Sequence, residues 1–483
     1  MPDSSAPSGD LPAINRAIPF AIAVAAFIEA IDSTVVTTAL PAIARDLHVP
    51  ATELSSLVTA YLLAVTVLIP LSGWIADRFG ARRVFAGAIL LFTAASALAA
   101  TSRDFPSLLI ARALQGAAGA LMMPVARLIV LRTIPRERFV ETMSLVTIPA
   151  LVGPAIGPVL GGAITEWFGW PWIFLINLPI GIIGTIFVLR VIPDIHETRR
   201  GFDGIGFALF AAGLAAIVLA CETAGRSGLG RSGEVAVGTG GVALLLLYAL
   251  HARRRTDPAL DLSLFRIASF RTSVVGGTLC RIGFAGTPFL LPLLFQLGFG
   301  LSPLESGGLT FAVAIGAIGL KTIAPRVARA WPFKRVLLVN GAAIAVALAS
   351  FALLQPTTPH YAILGLLVGY GFLRSLQFTF LNALAYADVP DNKSSHATSL
   401  ASVGQQLSQS LGVALAGALL SLFAGGVTPT RIDFAHTFLV CAAVVVIALL
   451  MFLRLPADAG GNMRGAPRGV RRGAVQDAGQ QGA

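Results

Sequence analysis

Glu29 and Asp32 lie three residues apart in an otherwise apolar stretch, FAIAVAAFIEAIDSTVVTTALP. On a helix that spacing puts both carboxyls on one face. Two neighbouring carboxyls in a low dielectric do not readily ionise together. One that keeps its proton is able to hand it over and take it back, which is what proton-coupled exchange requires. The competing reading is a permanent ion pair, with Arg112 as the partner of Asp32. Arg112 sits in another apolar stretch, with Gln115 on the same face and Gly119 one turn further. An arginine stays charged, so it either holds a carboxylate or water or serves as a fixed packing group. Four more basic residues fall in apolar stretches: Arg127, Arg281, Lys321 and Arg374. Snorkelling to an interface explains Arg127 and is one explanation of Lys321. Arg281 and Arg374 lie too deep for it. Amides accompany them: Gln296, Gln377, Asn382, Gln405 and Gln409. Arg374, Gln377 and Asn382 fall near one face, and Gln405 and Gln409 are one turn apart. With Gln115 and Arg281, these residues are expected to line a solute cavity.

These groups need a scaffold, and the composition says which kind. Of 483 residues, 55% are hydrophobic and 12% charged, whereas soluble chains carry about 25% charged residues. A helix needs about 20 mostly apolar residues to cross a bilayer. Fourteen segments qualify, near 16–40, 54–76, 83–101, 106–131, 141–165, 171–191, 204–222, 234–250, 270–297, 304–325, 335–354, 359–385, 397–424 and 432–454. The expected fold is therefore an all-α integral membrane protein. The net charge of +11 does not mark nucleic-acid binding, because the basic residues are dispersed through short loops. Cys221, Cys280 and Cys441 have neither disulfide nor metal spacing and read as small hydrophobes. Residues 1–13 lack the basic flank and cleavage site of a signal peptide. Both they and residues 456–483 are too polar to bury a core and are expected to be disordered.

Placing the N-terminus inside gives a strong charge asymmetry. Twenty-five of the 35 basic residues fall on the cytoplasmic side, five outside and five within spans. That bias predicts both termini in the cytoplasm. Charged linkers set apart two helices within residues 192–269. Removing that pair leaves six spans in residues 14–191 and six in residues 270–455. Six plus six is the plan of carriers built from two similar bundles with the solute between them.

Residues 73–83 read GWIADRFGARR. Gly73 is expected to let another helix approach, Asp77 to accept from an arginine or backbone donor, and Gly80 to allow a sharp turn. Arg78, Arg82 and Arg83 are expected to anchor the loop. The segment resembles the G-x-x-x-D-R-x-G-x-R-R loop of the major facilitator superfamily. Asp32 in IDSTVVTTALP and Arg112 in RALQGAAGA resemble motifs of its fourteen-helix drug:proton antiporters. So does VGPAIGPVLGG, where Gly153, Gly157 and Gly161 recur every four residues beside Gly162. One face of that helix is nearly bare and suits close packing. Pro154 and Pro158 are expected to kink it. Relatives tend to carry Arg where this chain has Pro171. The resemblance implies the major facilitator fold: two six-helix bundles with two additional helices between them. It also implies efflux of drugs or other small organic solutes by alternating access. It implies a bacterial inner-membrane location, a monomer in contact with lipid, and accessory periplasmic or outer-membrane efflux partners.

Two other readings stand beside export. One is a proton- or sodium-coupled uptake symporter for a carboxylate, or an exporter of an organic anion. The embedded charges favour anionic or neutral cargo, with five bases against two acids and Glu222 near a span end. The other is a receptor that kept the fold but does not transport. No cofactor other than the proton gradient, no metal and no enzymatic chemistry are expected. There is no G-x-x-x-x-G-K-[ST] loop for nucleotide.

Overall fold

The computed structural model describes residues 17–133, 139–194, 202–223, 230–255, 258–390, 393–425 and 427–456. The expected tails lie outside these residues, apart from Pro456.

The described chain is helical throughout, as lipid demands of a backbone that must satisfy its own hydrogen bonds. The first half holds α1 (Ala17–Asp46), α2 (Ser55–Phe79), α3 (Ala81–Thr101), α4 (Phe105–Thr133), α5 (Phe139–Trp167) and α6 (Trp172–Val191). Next come α7 (Gly204–Thr223) and α8 (Gly230–Ala252). The second half holds α9 (Ala268–Gly298), α10 (Pro303–Ala330), α11 (Phe333–Phe351), α12 (His360–Tyr386), α13 (Ser394–Ala424) and α14 (Arg431–Leu453). Thirteen helices among the described residues are long and apolar enough to cross a membrane. The remaining long helix, α5, has 29 residues and falls where the fifth span is expected. Two π-helical turns, Thr272–Gly276 and Leu294–Gly298, interrupt α9.

The halves repeat one packing plan. In the first, α1 packs on α5 and α6, α2 on α4, and α3 on α4 and α6. In the second, α9 packs on α13 and α14, α10 on α12, and α11 on α12 and α14. The contacts between halves, α2 with α13 and α5 with α10, exchange into one another under the same correspondence. Faint in the sequence, the repeat is plain in the helix neighbours.

The additional pair α7–α8 packs on itself, and α7 also leans on α2 and α13. Side chains tie its near end. His251 Nε2 lies 2.8 Å from Asp203 Oδ1, Tyr248 Oη exchanges hydrogen bonds with the Leu260 backbone, and Lys393 Nζ donates to Asp261 at 3.1 Å. Burial pushes the Asp203 carboxyl up, but hydrogen bonds from His251 and the Gly206 N–H outweigh it and hold the carboxyl below its ordinary value.

The glycines of α5 set two interfaces. A Cβ on Gly153 would come within 2.7 Å of Ala30, while Gly157 and Gly161 lie hard against Thr34 and Thr38 of α1. Gly162 faces the backbone of Pro303 and Leu304, and Gly307 of α10 faces Pro158, so the halves touch there nearly backbone to backbone. α5 runs through Pro154 and Pro158 as one helix. Both prolines line the gap between the halves.

Gly157→Val should overpack the α1–α5 contact and destabilise the protein by about 1–3 kcal/mol. Thermal unfolding in detergent should show a lowered Tm. Gly87→Ala, which meets nothing within 4 Å, should leave Tm unchanged or slightly raised.

Candidate functional site

Asp32 and Arg112 meet inside the first bundle, each 1% exposed. Arg112 Nη1 donates to Asp32 Oδ2 at 2.6 Å and to Gln115 Oε1 at 2.7 Å, and its Nε donates to the Leu57 carbonyl at 3.3 Å. The other carboxylate oxygen accepts from Gln115 Nε2 at 3.1 Å and Asn177 Nδ2 at 3.2 Å. Both amides also donate to Ser96 Oγ. The guanidinium carbon lies 4.7 Å from the centroid of the Tyr61 ring, a cation–π contact. The ion pair thus draws on α1, α2, α3, α4 and α6. A buried pair is tolerated when further hydrogen bonds saturate it, and this one is saturated. Ser96 and Asn177 were missed in the sequence. Their signal was slight: Asn177 is the lone side-chain amide of its apolar run.

Glu29 lies one turn from Asp32 but outside this network. Its Oε2 is buried without a hydrogen-bond partner. The charges that act on it are Asp32 and Arg127, and Arg127 itself is exposed. Gly119 makes room for it: a Cβ there would lie 3.0 Å from Tyr61 Oη and 3.6 Å from Glu29 Oε1. The two acids that the sequence pairs on one face are therefore unlike. Asp32 is fixed by partners; Glu29 has none among the described residues.

A cavity of about 240 Å³ lies between the halves. Thr34 and Thr37 of α1, the two α5 prolines, Pro288 and Leu291 of α9, and Tyr370 and Arg374 of α12 contribute to its wall. Of the eight residues expected there, Arg374 alone lines it. Gln115 is committed to the ion pair. Gln377 is fully buried in the second bundle, accepting from Asn340 at 2.8 Å and donating to the Leu337 carbonyl at 3.3 Å. Buried amides need partners, and the bundles supply them. Gln296 donates to the Thr38 carbonyl at 2.9 Å and so staples the halves. Asn382, Gln405 and Gln409 are half-buried away from this cavity; Gln409 donates to Gln406. Arg281 is buried, 5% exposed, with Nε and Nη1 unpartnered among the described residues. The side chain of Lys321 lies outside them.

A second signal was also missed. Arg112-Ala-Leu-Gln115 on α4 and Arg374-Ser-Leu-Gln377 on α12 are the same Arg-x-x-Gln string, on helices equivalent in the repeated plan.

At the α2–α3 loop, Arg132 from the end of α4 donates to Asp77 at 2.7 Å. Arg82 and Arg83 reach Asp194 at 3.2 and 3.5 Å, and Arg78 lies over the Trp74 ring. Gly80 ends α2 with φ +89°, a conformation that favours glycine. Gly73 departs from expectation. It is exposed, and a Cβ there would meet nothing within 4 Å. No helix among the described residues approaches it closely.

Arg112→Met would leave the Asp32 charge buried without its counter-ion and should destabilise the protein by about 3–5 kcal/mol. Adding Asp32→Asn should restore most of the loss in denaturant unfolding.

The comparisons agree with this architecture. The profile of the Major Facilitator Superfamily matches residues 22–413. A protein named for multidrug resistance, MdtD of Klebsiella pneumoniae (strain 342), is 38% identical over 463 residues, covering 94% of this chain and 97% of its own. Its namesake in Escherichia fergusonii is 37% identical over 454 residues, covering 93% and 96%. Among solved structures, the POT family transporter PepTSo superposes with TM-score 0.70 at 15% identity, over 94% of this chain and all of the other. The nucleoside transporter NupG gives 0.66 at 13% identity, over 91% and 99%. Sequence and fold together place this multi-pass membrane protein, a transporter and not an enzyme, in the major facilitator superfamily.

Proposed function

We propose that the protein expels small organic solutes in exchange for protons, by alternating which end of the gap between its bundles is open. The observation that carries this reading is the contrast between the two acids of α1. Asp32 is saturated by Arg112, Gln115 and Asn177, whereas Glu29 keeps a buried oxygen without a partner. An ionisable group inside a membrane is expensive and is retained for a task. Glu29 takes up and releases the proton. Asp32 and Arg112 hold the scaffold that senses it. Tyr61 joins the two, since it stacks on Arg112 and borders the space that Glu29 occupies.

The export direction rests on the glycine–proline face of α5 and on the relatives named for multidrug resistance. The basic-residue bias supports cytoplasmic termini in a bacterial inner membrane. The moving units are residues 14–191 and 270–455, with residues 192–269 as the additional pair and its linkers. In that orientation the contacts of Ser55 with Gly417 and of Glu166 with the Leu304 N–H lie at the outer end. Gly73 lies at the inner end and is uncovered. The reverse arrangement brings a helix of the second half against it.

Glu29→Gln should abolish pH-gradient-driven efflux of fluorescent solutes from everted vesicles while leaving Tm within a few degrees of the parent. Full efflux in that variant would remove Glu29 from the mechanism. Gly73→Leu should keep the folded state and slow turnover by about tenfold or more, since the step that fails is the conformational one. Unchanged turnover would show that nothing approaches Gly73 during the cycle.

A further inference from the structure

The Arg-x-x-Gln string occurs twice, but only one copy has a counter-charge. In the first half Arg112 is neutralised by Asp32. In the second half Arg374 stands in the cavity wall, and no ion pair or hydrogen bond holds it among the described residues. One turn further along α12, Phe378 lies on the same stripe, and the Arg281 guanidinium carbon is 5.7 Å from its ring centroid. Arg281 also shares the stripe of α9 that carries Pro288, seven residues on, into the cavity wall.

The missing acids are accounted for. Helices α9 to α14 contain two carboxylates, Glu305 and Asp433. Each closes a capping box at the first turn of its helix, Glu305 with Ser302 and Asp433 with Thr430. Neither reaches Arg374 or Arg281. Two guanidiniums, charged at any accessible pH, are thus left without fixed compensation among the described residues. Arg281 has buried donors without acceptors, which is costly, and half-buried Arg374 brings to the cavity wall a planar fork that matches a carboxylate. The rest of the wall is largely apolar, with prolines from α5 and α9 beside Leu291 and Val313.

We propose that the second half carries an anion site, with Arg374 as the cargo contact and Arg281 as a second cation behind Phe378. The cargo class is an organic carboxylate with an apolar body. This rests on reading the cavity as the cargo site and names the charge of what enters it. The counter-ion that Asp32 supplies permanently in one half is supplied transiently by cargo in the other.

The test uses the full chain in lipid nanodiscs and three probes with one ring system: 1-naphthoate, 1-naphthalenemethanol and 1-naphthylmethylammonium. Binding is followed by naphthalene fluorescence, and flux in proteoliposomes under an imposed pH gradient. The parent should prefer naphthoate over the ammonium probe by about tenfold or more, the scale of a lost charged hydrogen bond. Arg374→Gln and Arg281→Gln should each remove that preference, with naphthalenemethanol affected little. Arg374→Lys should restore part of it. Tm should hold or rise in Arg281→Gln, because an uncompensated buried charge has gone, and should hold in Arg374→Gln, where the parent side chain is only half-buried. A fall in Tm with the preference intact would mark the arginines as packing groups and overturn the site. Preference for the ammonium probe in the parent would overturn it as well. Gradient-driven flux of the alcohol or the amine without naphthoate would sink the anion site and leave proton-driven export standing. Naphthoate binding that needs both arginines, without flux of any probe, would support the site while counting against export.

Discussion

A charge can stay inside a bilayer only if something answers it, and the Asp32–Arg112 pair is where this chain answers one permanently. The pair alone would not suffice. Desolvating two ions is repaid only when their remaining hydrogen-bonding positions are filled. Here Gln115, Asn177 and the Leu57 carbonyl fill them, and Ser96 aligns the two amides. With Asp32 itself these groups come from five helices, so the pair also fixes how the first bundle closes. It leaves Glu29, one turn away, as an acid in the same bundle with no such support.

The second bundle repeats the helix plan but not the charge plan. Its equivalent string gives Gln377 to an internal hydrogen bond with Asn340 and turns Arg374 to the cavity. Cys280, beside Gln377 at 3.8 Å, brings no charge. One half is thus internally neutralised and the other open to whatever enters. Between them, the small residues of α5 and α10 let the halves touch nearly backbone to backbone. Such a contact depends on shape rather than on ionic bonds.

The fold was legible because lipid leaves few choices: long apolar runs must be helices, and glycines every four residues must be contacts. Gly153, Gly157 and Gly161 were readable on that ground, as was Gly80 at its turn. The wall of the cavity was much less legible. Gln115 and Gln377 look like cavity residues in a string of letters, because a polar residue in a membrane helix suggests water or cargo. Bundles also use amides to satisfy one another, and only the neighbouring helices reveal which use applies. Gly73 failed for a different reason. Its spacing suggests a close approach, but among the described residues a Cβ there meets nothing within 4 Å. Asn177 and Ser96 went unseen because their importance is a matter of distance, not of type.

The account turns on a division of labour between two carboxyls, one held by partners and one free to exchange its proton. Infrared spectroscopy of the purified protein in lipid, titrated through the working pH range, observes that directly through the absorption of protonated carboxyl groups. The account predicts a pH-dependent band in the parent that vanishes in Glu29→Gln and persists in Asp32→Asn. A band unchanged in Glu29→Gln and lost in Asp32→Asn would contradict it.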